Sequence, residues 1–188
     1  MKRRISPLLI LLAFLLLLLG SGCGRQALQN HLAKGFDTHV YIVRHAEKEL
    51  TPGLPDPPLT AAGQQRALAL RDTLRRNGML SGIFSTATTR TRSTAQPLAD
   101  ALRLPVQAYD AKQLAALARR VRQEYRGKNV LIVGHSNTIL ETVEAFGAAR
   151  PVPTVNDNEY NYLLEVTMPR DSTQPARATA RRYGPANP

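Results

Sequence analysis

The chain of 188 residues has one cysteine, no tryptophan, few other aromatics and far fewer acidic than basic residues. A lone cysteine, Cys23, permits no intrachain disulfide, so the fold must rest on its core. Sparse aromatics and the lack of a recognisable binding motif argue against a nucleic-acid partner, although the formal net charge is +11. Three of those charges, Lys2, Arg3 and Arg4, precede the only long apolar run, Leu8–Leu19. That run is short for a bilayer span, which needs roughly 20 apolar residues, and it is followed by Gly20-Ser21-Gly22. A basic start, an apolar middle and a small-residue exit are the anatomy of a secretory signal.

Residues 1–22 are therefore read as a signal peptide, 23–37 as a polar tether and 38–188 as one domain, large enough to bury a core. Leu19-Gly20-Ser21-Gly22-Cys23 resembles the bacterial lipobox, with Gly20 where an aliphatic residue is usual. The resemblance implies an exported protein anchored to the cell envelope by a lipid on Cys23; the alternative is an ordinary cleaved signal. Gly24 after the cysteine favours the outer over the inner membrane by the same resemblance. The remaining basic surface suits an anionic partner.

Within the domain, Val40-Tyr41-Ile42-Val43 is a strand-length apolar run that ends in Arg44 and His45. Val130-Leu131-Ile132-Val133 repeats the design and leads through Gly134 into His135. His39, at the first strand's start, reads as an edge residue. Glu47–Pro58 holds four prolines and a glycine and must be a loop. Thr60 caps a helix to Arg76, with Ala67, Leu70 and Leu74 on one face and Gly78 beyond its end. A short strand, Gly82–Ser85, runs into the hydroxyl-rich stretch Thr86–Thr94, which opens a helix containing Leu98 and Leu102. Pro97 is expected in that helix's first turn, where proline is tolerated, and Arg90 beside free N–H groups that favour an anion. A strand at Val106, a helix Ala111–Tyr125, a helix Thr138–Phe146, a loop Pro151–Asn161 and strands Tyr162–Val166 and Arg177–Tyr183 complete the reading. Alternating strands and helices predict a three-layer α/β/α sandwich with a mainly parallel central sheet and antiparallel strands at its edge.

In such a sheet the ligand crevice lies beyond the carboxyl ends of the strands, which is where His45, His135 and Arg90 fall. Guanidinium forks match phosphoryl oxygens, and a neutral imidazole is a competent nucleophile. The set Arg44, His45, Arg90 and His135 therefore points to phosphoryl transfer through a phosphohistidine, with no metal or other cofactor required.

Val43-Arg44-His45-Ala46, the segment Ser85–Ala95 around Arg90, and Gly134-His135-Ser136 together resemble the histidine phosphatase superfamily, the phosphoglycerate-mutase-like group, across Val40 to Tyr183. The resemblance implies that His45 is the phosphorylated nucleophile and that Arg44, Arg90 and His135 complete the phosphate pocket. Ser136 stands where one branch has an aspartate as proton donor, which favours the other branch, whose acid is usually a glutamate between Arg90 and His135. No residue obviously fills that slot. Glu47, Asp56 and Asp110 are the carboxylates left to approach a leaving group, and Asn137, Asn158 and Tyr160 are candidates for shaping specificity. The chain has no room for the cap of larger relatives, so hydrolysis of a phosphorylated small molecule or a phosphoprotein is expected rather than a mutase reaction. Two other readings stay open: an anion-binding envelope lipoprotein without turnover, and a metal-dependent hydrolase with His45, His135 and Glu47 as ligands. Neither the substrate nor the oligomeric state is legible.

Overall fold

The computed structural model describes residues 36–76 and 80–187. The signal peptide, Cys23, most of the tether and Gly78 lie outside the described residues. Among the described residues no helix is long and apolar enough to cross a membrane.

The chain runs β1 (Thr38–Arg44), α1 (Ala61–Arg76), β2 (Leu80–Ser85), α2 (Thr89–Leu102), β3 (Val106–Ala108), α3 (Leu114–Glu124), β4 (Asn129–Gly134), α4 (Ile139–Ala145), β5 (Tyr162–Met168) and β6 (Arg177–Arg182). The sheet order is β3-β2-β4-β1-β5-β6. The first four strands are mutually parallel, whereas β5 is antiparallel to β1 and β6 to β5. The fold is thus the expected α/β sandwich with a mainly parallel sheet.

Alternation along the central strands builds two cores. Val40, Ile42, Val130 and Ile132 pack with Leu117, Val121, Ile139 and Val143 of α3 and α4. Tyr41, Val43, Leu131 and Val133 pack with Leu70, Leu74, Leu98 and Ala99 of α1 and α2. The central strands are apolar on both faces because helices cover both faces.

The capping of α1 follows the sequence: Gly63 N donates to Thr60 Oγ1 at 3.1 Å. Gly63 also lies so close to the Glu47 carbonyl that a Cβ there would collide with it. Pro97 departs from expectation. Because α2 starts at Thr89, Pro97 stands in the helix interior, where it has no N–H to offer the Ser93 carbonyl. The helix continues because Leu98 and Ala99 just beyond it are buried, so tertiary packing overrides the local penalty.

One buried ion pair fastens the loop after β1 to α1 and to the chain's end. Arg66, 1% exposed, donates through Nε to Glu47 Oε1 and Oε2 at 3.0 and 2.9 Å and through Nη2 to Oε1 at 2.6 Å. Its other N–H groups reach the carbonyls of Tyr183, Pro185 and Ala186. Arg66→Met would leave the Glu47 carboxylate buried without its cation and is expected to cost about 3–5 kcal/mol. The check is a lower urea midpoint, with part of the loss recovered in Arg66→Met/Glu47→Gln.

Candidate active site

His45 follows directly from β1, and its N–H donates to the Gly134 carbonyl at 2.9 Å, extending the β1–β4 ladder by one residue. His135 follows β4 in the same register, since Arg44 pairs with Gly134. Parallel pairing thus delivers both imidazoles to one end of the sheet, with ring centroids 5.5 Å apart in an edge-on arrangement. Gly134 is required there: a Cβ would stand 2.9 Å from the Tyr109 hydroxyl and 3.2 Å from Thr138 Oγ1.

The hydrogen bonds fix the tautomer of His45. Its Nδ1 lies 2.8 Å from the Ala46 carbonyl, which can only accept, so Nδ1 carries the proton and the lone pair belongs to Nε2. Ala46 N donates to Thr94 Oγ1 at 2.9 Å, and that hydroxyl donates to the Arg90 carbonyl at 2.7 Å. His135 Nε2 is hydrogen bonded to Thr86 Oγ1 at 2.9 Å, which in turn meets Thr91 Oγ1 at 2.9 Å. The hydroxyls of Thr86–Thr94 are therefore the scaffold that holds both histidines. Sequence reading saw the hydroxyl-rich stretch without this role, because the partners lie 48 and 49 residues away.

Arg44 is 5% exposed. Its Nη1 donates to the carbonyls of Asn156, Asp157 and Glu159 at 3.1, 2.8 and 3.3 Å, and its guanidinium lies 4.1 Å from the centroid of the Tyr160 ring. Arg90 holds only a 3.5 Å contact from Nη1 to Asp56. In both arginines Nε is buried and has no partner among the described residues. Two cationic donors without partners among the described residues, near two histidines, are chemically suited to an anion, because a buried donor left unpaired is costly until an acceptor arrives.

Burial pushes the His45 pKa down to about 3, with Arg44, Arg90 and His135 contributing repulsion and the Ala46 carbonyl opposing. The His135 pKa is lowered too, by burial and then by Arg90 and Arg44. His45 is thus neutral, and its nucleophilic lone pair free, throughout the physiological range. We expect its imidazole NMR signals in the ligand-free protein to stay unchanged between pH 8 and 5, whereas a free imidazole titrates near ~6.5. The same shift links to stability. The unfolded chain takes up a proton below about pH 6.5 that native His45 refuses until about pH 3, so stability falls as pH drops through that window. Between pH 7.5 and 5 the loss is about 2 kcal/mol from this group, readable as a shift in the urea midpoint.

The carboxylates separate clearly. Glu47 is engaged by Arg66 and is removed from consideration as proton donor and as the third ligand of a metal site. Asp56 does not face a leaving group as an acid: it accepts from Thr89 N at 2.9 Å and Thr89 Oγ1 at 2.7 Å, and these bonds lower its pKa. The same contact narrows the expectation of free N–H groups at the start of α2, since Asp56 already occupies the Thr89 amide. Asp110 alone of the three lines the open cavity of about 530 Å³ that also borders Thr86, Tyr109 and His135. Its Oδ1 accepts from Lys112 N at 2.9 Å. Asn137 is exposed and lines a neighbouring hollow with Ser136 and Asp157 instead. Asn158 is exposed as well, whereas Tyr160 is buried at 8% under Arg44.

Known proteins share parts of this sequence and this fold. Residues 40–111 match the sequence model of the histidine phosphatase superfamily (branch 1). A curated relative, the PE-PGRS family protein PE_PGRS11 of Mycobacterium tuberculosis, is 40% identical over 72 residues, 34% of this chain; the match spans only 12% of that protein's length. Among solved structures, the protein histidine phosphatase SixA complexed with tungstate is similar at TM-score 0.58 and 19% identity, over 78% of this chain and 96% of that one. The mycobacterial glucosyl-3-phosphoglycerate phosphatase is similar at 0.57 and 14%, over 80% and 100%. The phosphoglycerate mutase of Bacillus anthracis is similar at 0.53 and 13%, over 79% and 93%. Residues 40–111 thus carry the histidine phosphatase signature on a phosphoglycerate-mutase-like fold, and such distant likenesses to enzymes of differing substrate carry the fold alone.

Proposed function

We propose that this chain is a metal-independent phosphatase that hydrolyses a phosphomonoester or related phosphoryl compound through a phosphohistidine on His45. The observation that carries the reading is a neutral His45 with its Nε2 lone pair free, beside two arginines whose buried Nε donors await an acceptor. Arg44, Arg90 and His135 bind the phosphoryl oxygens. The Nε2 lone pair of His45 attacks phosphorus while the bond to the leaving oxygen breaks and that oxygen takes a proton from Asp110 or solvent, which is repaid by the water that attacks in the next step. Water then attacks the phosphorus, the N–P bond breaks, and the electron pair returns to Nε2 as inorganic phosphate departs. Because charge builds on oxygens already faced by guanidiniums, electrostatic stabilisation is the main contribution.

Asp110 is the carboxylate left to serve the leaving group, from the open cavity beside His135. An exposed acid tied to a backbone amide is a modest donor, which favours leaving groups needing little protonation, such as phosphoramidates and activated esters, over simple alkyl phosphates. Asp110→Asn is accordingly expected to leave p-nitrophenyl phosphate turnover within a few-fold and to slow an alkyl phosphate by about 10², read from kcat/KM on the pair. The open cavity supports hydrolysis over mutase chemistry, which must keep water from the phosphoenzyme. The exported, envelope-anchored state through a lipid on Cys23 belongs to the same proposal, and mass spectrometry of the mature N-terminus tests it.

The deciding experiment is turnover of p-nitrophenyl phosphate and phosphoramidate in the presence of chelator, with rapid quenching to trap label. An acid-labile, base-stable phosphoprotein is expected. Loss of activity on chelation would restore the metal reading, and phosphate binding without turnover would make the protein an anion binder.

A further inference from the structure

We propose that the face at the amino ends of the parallel strands, around Arg122, Arg126 and Arg170, docks on an anionic phospholipid surface and holds the domain with the His45 site turned away from the bilayer. The three arginines border a cavity of about 420 Å³ whose floor includes Thr38, Phe146 and Met168. Thr38 opens β1 and pairs with Met168 at the end of β5, so this cavity and His45 lie at opposite ends of β1, separated by a strand of seven residues, roughly 20 Å.

Several surface arginines form no ion pair among the described residues; what sets this face apart is that three of them border one cavity. Arg71, Arg120, Arg150 and Arg182 each pair with a carboxylate elsewhere on the surface. Arg122, Arg126 and Arg170 have no carboxylate partner among the described residues. Instead Arg122 Nη2 donates to the Ala145 carbonyl at 3.2 Å and Arg126 Nη2 to the Arg170 carbonyl at 3.1 Å. Each bond uses one of five N–H donors, holding the cation at the rim with charge to spare for phosphate oxygens. Two acidic groups lie here and both are engaged: Asp37 accepts from the Arg170 amide at 3.1 Å, and Asp171 accepts from Thr173 N and Oγ1 at 3.0 and 2.7 Å.

The occupant is indicated by where the chain enters. Phe36, 81% exposed, sits beside Gly127 at this same face, and the residues before it contain the apolar run Leu8–Leu19 and Cys23. Twelve residues lie between Cys23 and Phe36, and the distance from one to the other is at most about 45 Å when they are extended. A membrane-attached chain therefore presents this face first. Unpaired arginines within a Debye length of an anionic headgroup layer are attracted to it, and an exposed phenyl ring beside them suits the interfacial region. The inference shares the membrane-directed reading of residues 1–35 and is independent of the phosphatase chemistry.

The test is hydrogen exchange of the full chain reconstituted in phosphatidylcholine vesicles with and without phosphatidylglycerol, so that attachment itself does not depend on lipidation. Phosphatidylglycerol is expected to slow amide exchange at least about tenfold across residues 122–128 and 168–176, with residues 86–95 and 136–159 unchanged. Salt near 1 M, where the Debye length is about 3 Å, and the triple variant Arg122→Glu/Arg126→Glu/Arg170→Glu should each abolish the effect while leaving turnover of a soluble substrate intact. Equal protection in both vesicles, protection at the His45 end, or protection retained in the triple variant would overturn the proposal. So would the same protection produced in neutral vesicles by a soluble single-stranded oligonucleotide, which would make the face a general polyanion site.

Discussion

Replacing His45 by alanine is expected to lower turnover by at least about 10³-fold and to abolish the acid-labile phosphoprotein, because the proposed reaction has no second group able to take the covalent step. His135 is not a substitute: its Nε2 is committed to Thr86 Oγ1, whereas the Nε2 of His45 makes no hydrogen bond among the described residues. The lesion should be separable from misfolding in two ways. Free imidazole supplied to the His45→Ala pocket should restore part of the turnover by taking the phosphoryl group itself. The variant should also lose much of its acid sensitivity, since native His45 is a buried base that refuses a proton until about pH 3. Label that persists in His45→Ala would overturn the assignment of nucleophile.

The two strands that end in histidine were legible because their signal is local: apolar runs of strand length, buried from both sides, need little context to be recognised. The parallel pairing that sets Arg44 opposite Gly134 then made His45 and His135 neighbours without any further information. Pro97 was misplaced because helix α2 is sustained by Leu98 and Ala99 against the sheet, a tertiary effect that outweighs the missing N–H.

What sequence could not supply was the traffic of carboxylates and hydroxyls between distant segments. Glu47 follows His45 by two residues and invited a catalytic role, yet its carboxylate is taken up by Arg66, which the carbonyls of Tyr183, Pro185 and Ala186 hold in place. Tyr160 stands in a loop as expected, but its burial under the Arg44 guanidinium was not legible, because that partner lies far away in the sequence. Both cases concern a polar side chain whose partner is more than fifteen residues away, where neither periodicity nor turn chemistry leaves a trace.

That division also sets the expected contrast between the two arginines. Arg90→Ala should reduce kcat/KM by about 10²–10³-fold, the usual effect of removing a donor aimed at developing charge, with little change in stability, because Arg90 is held only by the 3.5 Å contact to Asp56. Arg44→Ala should match that loss and add a stability cost, since three carbonyls and the Tyr160 ring lose the cation they surround. Lysine should rescue neither in full: it carries the charge but has no Nε–H in a planar fork, and the buried Nε of each arginine is the donor that stands free. The check is kcat/KM together with the urea midpoint for all four variants. Near-normal turnover in Arg90→Lys would show that charge alone suffices, and would move the decisive recognition of the phosphoryl group from the guanidinium fork to the histidines.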